Sequence, residues 1–134
     1  MGIYLNPENI DFQKSLNSEI YIDKTELIAY TNKKLNTEQG YICVSRPRRF
    51  GKSMAANMLT AYYSRGCDSR RLFQGLKIAT HPDFEKHLNQ YNVIHLNMQN
   101  FLSKTQTIEQ MIALVTKAVG RDLLRAYPDV DYLD

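Results

Sequence analysis

Tyr41-Ile42-Cys43-Val44-Ser45 is a short unbroken run with turn residues before it and a basic, proline-containing stretch after it. A run of this length and composition is expected to be a strand buried on both faces, as in a parallel sheet. It leads into Arg46-Pro47-Arg48-Arg49-Phe50-Gly51-Lys52-Ser53. Beyond that, Met54, Met58, Leu59 and Tyr62 recur at helical spacing and predict a helix over about 52–64. A buried strand, a glycine-containing basic loop and a helix in that order constrain the chain more than any other feature. They are the context of a phosphate-binding loop.

The chemistry of such a loop is direct. A tight turn ahead of a helix points successive backbone N–H groups at one spot, and the positive end of the helix dipole adds to them. The N–H groups of about 49–54, from Arg49 and Phe50 to Met54, are the expected phosphate cradle. Gly51 lets the main chain approach the phosphate closely. Lys52 can reach the β- and γ-phosphates of a nucleotide and is the candidate catalytic cation. Ser53 can place its hydroxyl on a magnesium ion bridging those phosphates. Arg48 and Arg49 can contact phosphate or ribose, or face solvent and pair with Asp23 or Glu26. The general motif has glycine where Arg46 stands, so a basic surface turn is the competing reading.

The rest of the chain supplies the frame. The first twenty residues are polar and poorly periodic and read as an arm or loop. Asp23-Lys24-Thr25-Glu26 has the form of a capping box, opening a helix at about 24–35. Asp23 and Lys24 can border a nucleotide pocket, although capping alone explains Asp23. A turn at 36–40 follows. Gly66 is placed to stop the helix at 52–64. Asp68 can cap a short helix through Phe73 that Gly75 ends. Pro82 suits the first position of a helix at about 82–89. Val93-Ile94-His95-Leu96-Asn97-Met98 reads as a second strand. Thr105 or Thr107 caps a last helix over 107–126. Its apolar stripe includes Ile108, Met111, Ile112, Val115, Val119 and Leu123, and Pro128 ends it. Helix, strand, helix, strand, helix is the order of an α/β fold with a parallel sheet and crossover helices. A single α/β domain over 1–134 is therefore expected.

Composition narrows the classes further. In 134 residues, 43% are hydrophobic and 23% charged, values of an ordinary globular chain rather than a disordered one. No apolar run approaches the roughly 20 residues of a membrane span. The N-terminus has no basic segment followed by an apolar one, so no secretory leader is read there. Cys43 and Cys67 are too few for a disulfide scaffold and lack metal-ligand spacing, which fits reduced thiols in the cytoplasm. Cys43 is expected to be buried and inert, and Cys67 more exposed. His81, His87 and His95 have no ligand companions, and His95 reads as a core histidine. Tyr41, Phe50, Tyr62 and Tyr63 read as core aromatics. The net charge is +3, and Arg46, Arg48, Arg49 and Lys52 concentrate cations without an acid between them. A basic nucleic-acid-binding module is an alternative. The clustering of these cations in one loop, rather than along a stripe, argues against duplex binding.

Residues 45–53 resemble the P-loop of a bacterial AAA-ATPase-like family often found upstream of a PD-(D/E)XK nuclease-like domain. Tyr21-Ile22-Asp23-Lys24-Thr25-Glu26-Leu27-Ile28 is similar to that family's N-terminal Asp-Lys-Thr segment. Leu72-Phe73-Gln74-Gly75-Leu76-Lys77-Ile78 and Tyr91-Asn92-Val93-Ile94-His95-Leu96-Asn97 resemble the stretches that follow its P-loop helix. The matches occur in order over about 21–100. The resemblance implies a three-layer, P-loop NTPase-like fold with a parallel sheet and binding of ATP with magnesium, and it makes Arg46 a family variant.

P-loop ATPases also use acids at the end of another strand to hold magnesium and orient water. This chain has no Asp-Glu pair, and the run at 93–96 ends in Asn97. The expectation is that the chain is the N-terminal portion of a longer protein, binds nucleotide, and hydrolyses it negligibly alone. An interaction domain with a non-catalytic P-loop is the other alternative. An incomplete sheet would leave a bare edge, and the helix at 107–126 needs a surface to cover its stripe. Self-association through either one is therefore expected.

Overall fold

A computed structural model describes residues 2–44 and 52–129. The described chain is helical. Its elements are α1 (Ile10–Leu16), α2 (Glu26–Lys34), α3 (Lys52–Tyr63), α4 (Arg70–Phe73), a 3₁₀ turn (Lys77–Thr80), α5 (Phe84–His87), α6 (Met98–Leu102) and α7 (Ile108–Ala126).

The expected parallel sheet is absent among the described residues, which corrects the α/β, three-layer P-loop assignment. The reason lies in what each apolar run meets. Tyr41 is 98% exposed, and Ile42, Cys43 and Val44 are also open to solvent. A strand needs a neighbouring strand for its N–H and C=O groups, and 41–44 has none among the described residues. The 91–96 run does find partners, but only at single points. Ile94 bridges Leu5 in antiparallel fashion, and Tyr91 bridges Ser64 in parallel fashion. The Asn6 N–H donates to the Val93 carbonyl at 2.7 Å, and the His95 N–H donates to the Tyr4 carbonyl at 2.9 Å. On the other side, the Tyr91 N–H donates to Tyr63 and the Arg65 N–H to Tyr91, each at 2.9 Å. The run is thus clamped between residues 4–6 and the end of α3. Neither partner is long enough to propagate a ladder. At Asn97 the chain turns, and its side chain accepts the Gln99 N–H at 3.1 Å to cap α6.

The first twenty residues do not form a loose arm. They contain α1, and they bury Leu5, Asn6, Asn9 and Phe12. Phe12 joins an aromatic core in which it stacks on Phe73 at 4.9 Å between ring centroids. Tyr62 packs edge-on to Phe73 at 5.6 Å and lies 5.9 Å from Phe84. Ile28, Met58, Ala61, Ile78 and Leu88 complete this core. Tyr62 therefore has the core role expected of it, and Tyr63 packs against the same cluster. The exposed Tyr41 does not share it. Burial of the ring pushes the Tyr63 hydroxyl up to about 12, only partly offset by its bond with Thr31.

Several local signals resolve differently in the folded chain, for identifiable reasons. Asp23 does not cap α2. Its Oδ1 accepts the Thr25 N–H at 2.9 Å and the Thr25 hydroxyl at 2.6 Å, forming a turn, and the helix starts later, at Glu26. Glu26 does not reach back to close the box; it pairs with His81 Nε2 at 3.1 Å. The helix expected at 82–89 shrinks to α5: Pro82 and Asp83 form a turn ahead of it, and at its other end Leu88 is extended at ψ 118° and Asn89 takes φ +54°. Gly66 serves contact rather than helix termination. A Cβ there would lie 2.1 Å from the Asn6 carbonyl oxygen. Gly75, at φ +82°, has the left-handed backbone that favours glycine. Thr107 caps α7, accepting the Gln110 N–H at 3.2 Å.

Candidate functional site

Of the expected phosphate-binding residues, Arg46, Arg48, Arg49, Phe50 and Gly51 lie outside the described residues. Lys52, Ser53 and Met54 form the first turn of α3, and all three are exposed. That turn contains no acidic residue. Further along, the helix is anchored by Met58, Ala61 and Tyr62 in the core. The end of α3 that carries Lys52 is therefore presented to solvent by a helix whose other end is fixed. The main-chain N–H groups of a first turn, a lysine and a hydroxyl at the start of a 12-residue helix suit a phosphate-bearing anion. The same group suits magnesium only through the Ser53 hydroxyl. No cluster of three or more His, Cys, Asp or Glu residues able to hold a metal occurs among the described residues.

The residues suggested as pocket neighbours are committed elsewhere. Besides Thr25, the Asp23 carboxylate accepts the Lys77 N–H at 2.8 Å. Burial pushes its pKa up, but the hydrogen bonds from Thr25 and Lys77 outweigh this and hold it below the ordinary carboxylate value. Asp23 thus ties the start of α2 to the 3₁₀ turn, and Thr25 extends the tie by accepting the Ile78 N–H at 3.1 Å. His95 is half-buried, with Nδ1 3.1 Å from the Thr60 hydroxyl.

The two cysteines exchange their expected places. Cys43 is exposed, because the run that carries it pairs with no strand among the described residues. Cys67 is half-buried, its sulfur 3.8 Å from the carbonyls of Ala61 and Ser64. Asn89 closes over that corner, donating from Nδ2 to Ala61 at 2.9 Å and to Ser64 at 2.7 Å.

The sequence model of a family described as a predicted AAA-ATPase (AAA-ATPase-like) matches residues 10–131. The chain belongs to this family. The match encloses both the 46–53 segment and all of α3. No curated protein and no solved structure matches the chain. Membership carries an AAA-ATPase-like association with nucleotide. No helix among the described residues is long and apolar enough to cross a membrane.

A second polar cluster went unremarked in the sequence. Lys104, Lys117, Arg121 and Arg125 line a cavity of about 290 Å³ between α6, α7 and the N-terminal stretch. Its signal was legible: Lys117, Arg121 and Arg125 repeat every four residues and so share one helix face.

Proposed function

We propose that this chain binds a nucleoside triphosphate, ATP with magnesium, through the segment at 46–53 and the first turn of α3. The observation that carries this reading is the position of Lys52. It opens a helix with no acid in its first turn, within the span matched by the AAA-ATPase-like family. Lys52 supplies positive charge to the β- and γ-phosphates, and the first-turn N–H groups, including that of Met54, complete the cradle. Arg48, Arg49, Phe50 and Gly51 contribute the preceding part of the loop. Bound magnesium would neutralise phosphate charge, with the Ser53 hydroxyl as its protein ligand. Turnover by this chain is expected to be negligible. It has no Asp-Glu pair, and Asn97, at the end of the 93–97 run, is already engaged as the α6 cap.

Fluorescent ATP titrated with and without magnesium tests the reading. Saturable binding that Lys52→Ala abolishes supports it. No binding at millimolar nucleotide, or binding indifferent to Lys52→Ala, refutes it.

Self-association has its own support. Ile108 is 70% and Ile112 57% exposed on α7, whose stripe is covered only in part. Pairing of two α7 faces would bury them. Light scattering at two concentrations checks this, and a concentration-independent monomer refutes it. The exposed free thiol of Cys43 suits a reducing, cytoplasmic setting.

A further inference from the structure

The cavity beside α7 combines two chemistries. Its apolar wall includes Tyr4 and Phe101, whose rings lie 5.5 Å apart between centroids. Its rim carries Lys104 from the turn after α6, together with Lys117, Arg121 and Arg125 on successive turns of α7. One carboxylate, Asp122, also lines it. That carboxylate is occupied: its Oδ2 accepts the Tyr4 N–H at 2.6 Å and the Leu5 N–H at 3.1 Å.

Among the described residues the cations have no such occupation. The ion pairs among the described residues join Arg70 to Glu85 and Glu26 to His81. Neither involves this group. Like charges four residues apart on a helix repel, each pair costing a few tenths of a kcal/mol. Attraction to the C-terminal end of the helix dipole accounts for Arg125, in the last turn of α7. It does not account for Lys117, more than two turns from that end, or for Lys104, which is on another element. Repulsive cations gathered around a concavity with aromatic walls are what recognition of an anion requires.

We propose that this cavity is a second binding site, separate from the start of α3, for a small organic anion with a flat apolar body and a phosphate or carboxylate group. The apolar body would lie against Tyr4 and Phe101, and the anionic group would meet Lys117, Arg121 and Lys104. A volume of about 290 Å³ is at the small end of ligand pockets. It suits one aromatic ring with its charged group.

The experiment uses the whole chain and follows backbone amide shifts by NMR during titration with phenyl phosphate, phenylacetate, inorganic phosphate and phenol. Saturable shifts confined to α6, α7 and residues 3–5 are expected with phenyl phosphate or phenylacetate. The stronger of the two identifies the anionic group. Inorganic phosphate, lacking the ring, and phenol, lacking the charge, are expected to bind more weakly. Lys117→Gln and Arg121→Gln, at exposed positions, should each weaken binding about tenfold while leaving the melting curve unchanged. Lys52→Ala should leave it intact, separating this site from the proposed nucleotide site. The proposal is overturned if no ligand saturates, if shifts centre on α3, or if neither glutamine variant weakens binding. Inorganic phosphate binding as tightly as phenyl phosphate would also overturn it. So would a single-stranded oligonucleotide that binds more tightly and is equally sensitive to both variants.

Discussion

Replacing Asp122 tests how this fold holds its N-terminal stretch. Asp122 is 5% exposed and is the one fully buried residue among the described positions of α7. Its carboxylate joins residues 118 and 117 positions away, through bonds of 2.6 Å to the Tyr4 N–H and 3.1 Å to the Leu5 N–H. Asp122→Ala removes the acceptor and leaves both donors behind. The Leu5 donor is buried, so stranding it costs about 2 kcal/mol, within the range for an unsatisfied buried group. The Tyr4 donor is only partly buried, and water can reach it through the adjoining cavity. Its loss costs about 1 kcal/mol. The sum of about 3 kcal/mol corresponds to a melting temperature lower by roughly 10 °C in a chain of this size. Asp122→Asn keeps a carbonyl oxygen that can accept both bonds and loses mainly the charge assistance. It should cost about half as much. Urea unfolding of the three proteins gives both numbers. Amide exchange should also show the Asn6 and His95 N–H groups losing protection first, since both belong to the clamp that Asp122 secures. Stability of Asp122→Ala within about 0.5 kcal/mol of the parent would refute the reasoning. Equal damage from both variants would show that shape, not hydrogen bonding, matters at this position.

Other outcomes follow from separate parts of the molecule. By titration calorimetry, Lys52→Ala should weaken ATP binding more than Arg48→Ala or Arg49→Ala, because Lys52 is fixed in a helix; greater damage from Arg49→Ala would shift the main phosphate contact to the arginines. Gly66→Ala places a methyl against the Asn6 carbonyl and should cost about 1–3 kcal/mol in chemical denaturation. Phe73→Ala should cost about 3–5 kcal/mol by the same measurement, because it empties the centre of the aromatic cluster. Burial and the nearby Lys86 charge lower the His87 pKa from its ordinary 6.5, outweighing Asp83. The unfolded chain therefore binds this proton more readily. His87 contributes stability above pH 6.5 that is lost as pH falls through its lower folded value. Urea midpoints measured across that range should fall on acidification, and less steeply in His87→Gln.

Local rules placed the elements whose causes are local. The apolar stripe and Thr107 determined α7, helical spacing determined α3 from Lys52 onward, and residues with short or unusual backbone needs marked the turn at Gly75. The basic Gly-Lys-Ser segment and its family resemblance were legible for the same reason, since a phosphate cradle is built from consecutive residues. The strands were not decided locally. An apolar run becomes a strand only if another strand lies alongside it, and nothing within 41–44 or 91–96 specifies that neighbour. Tertiary packing instead left Tyr41 in solvent and held Tyr91 and Ile94 at isolated bridges. The same packing drew Phe12 into the core and turned Asp122 into the anchor for Tyr4 and Leu5. It also gathered Lys104 beside the α7 cations at a common cavity. These pairings join residues far apart in the chain, so their energies appear only once the chain has closed on itself.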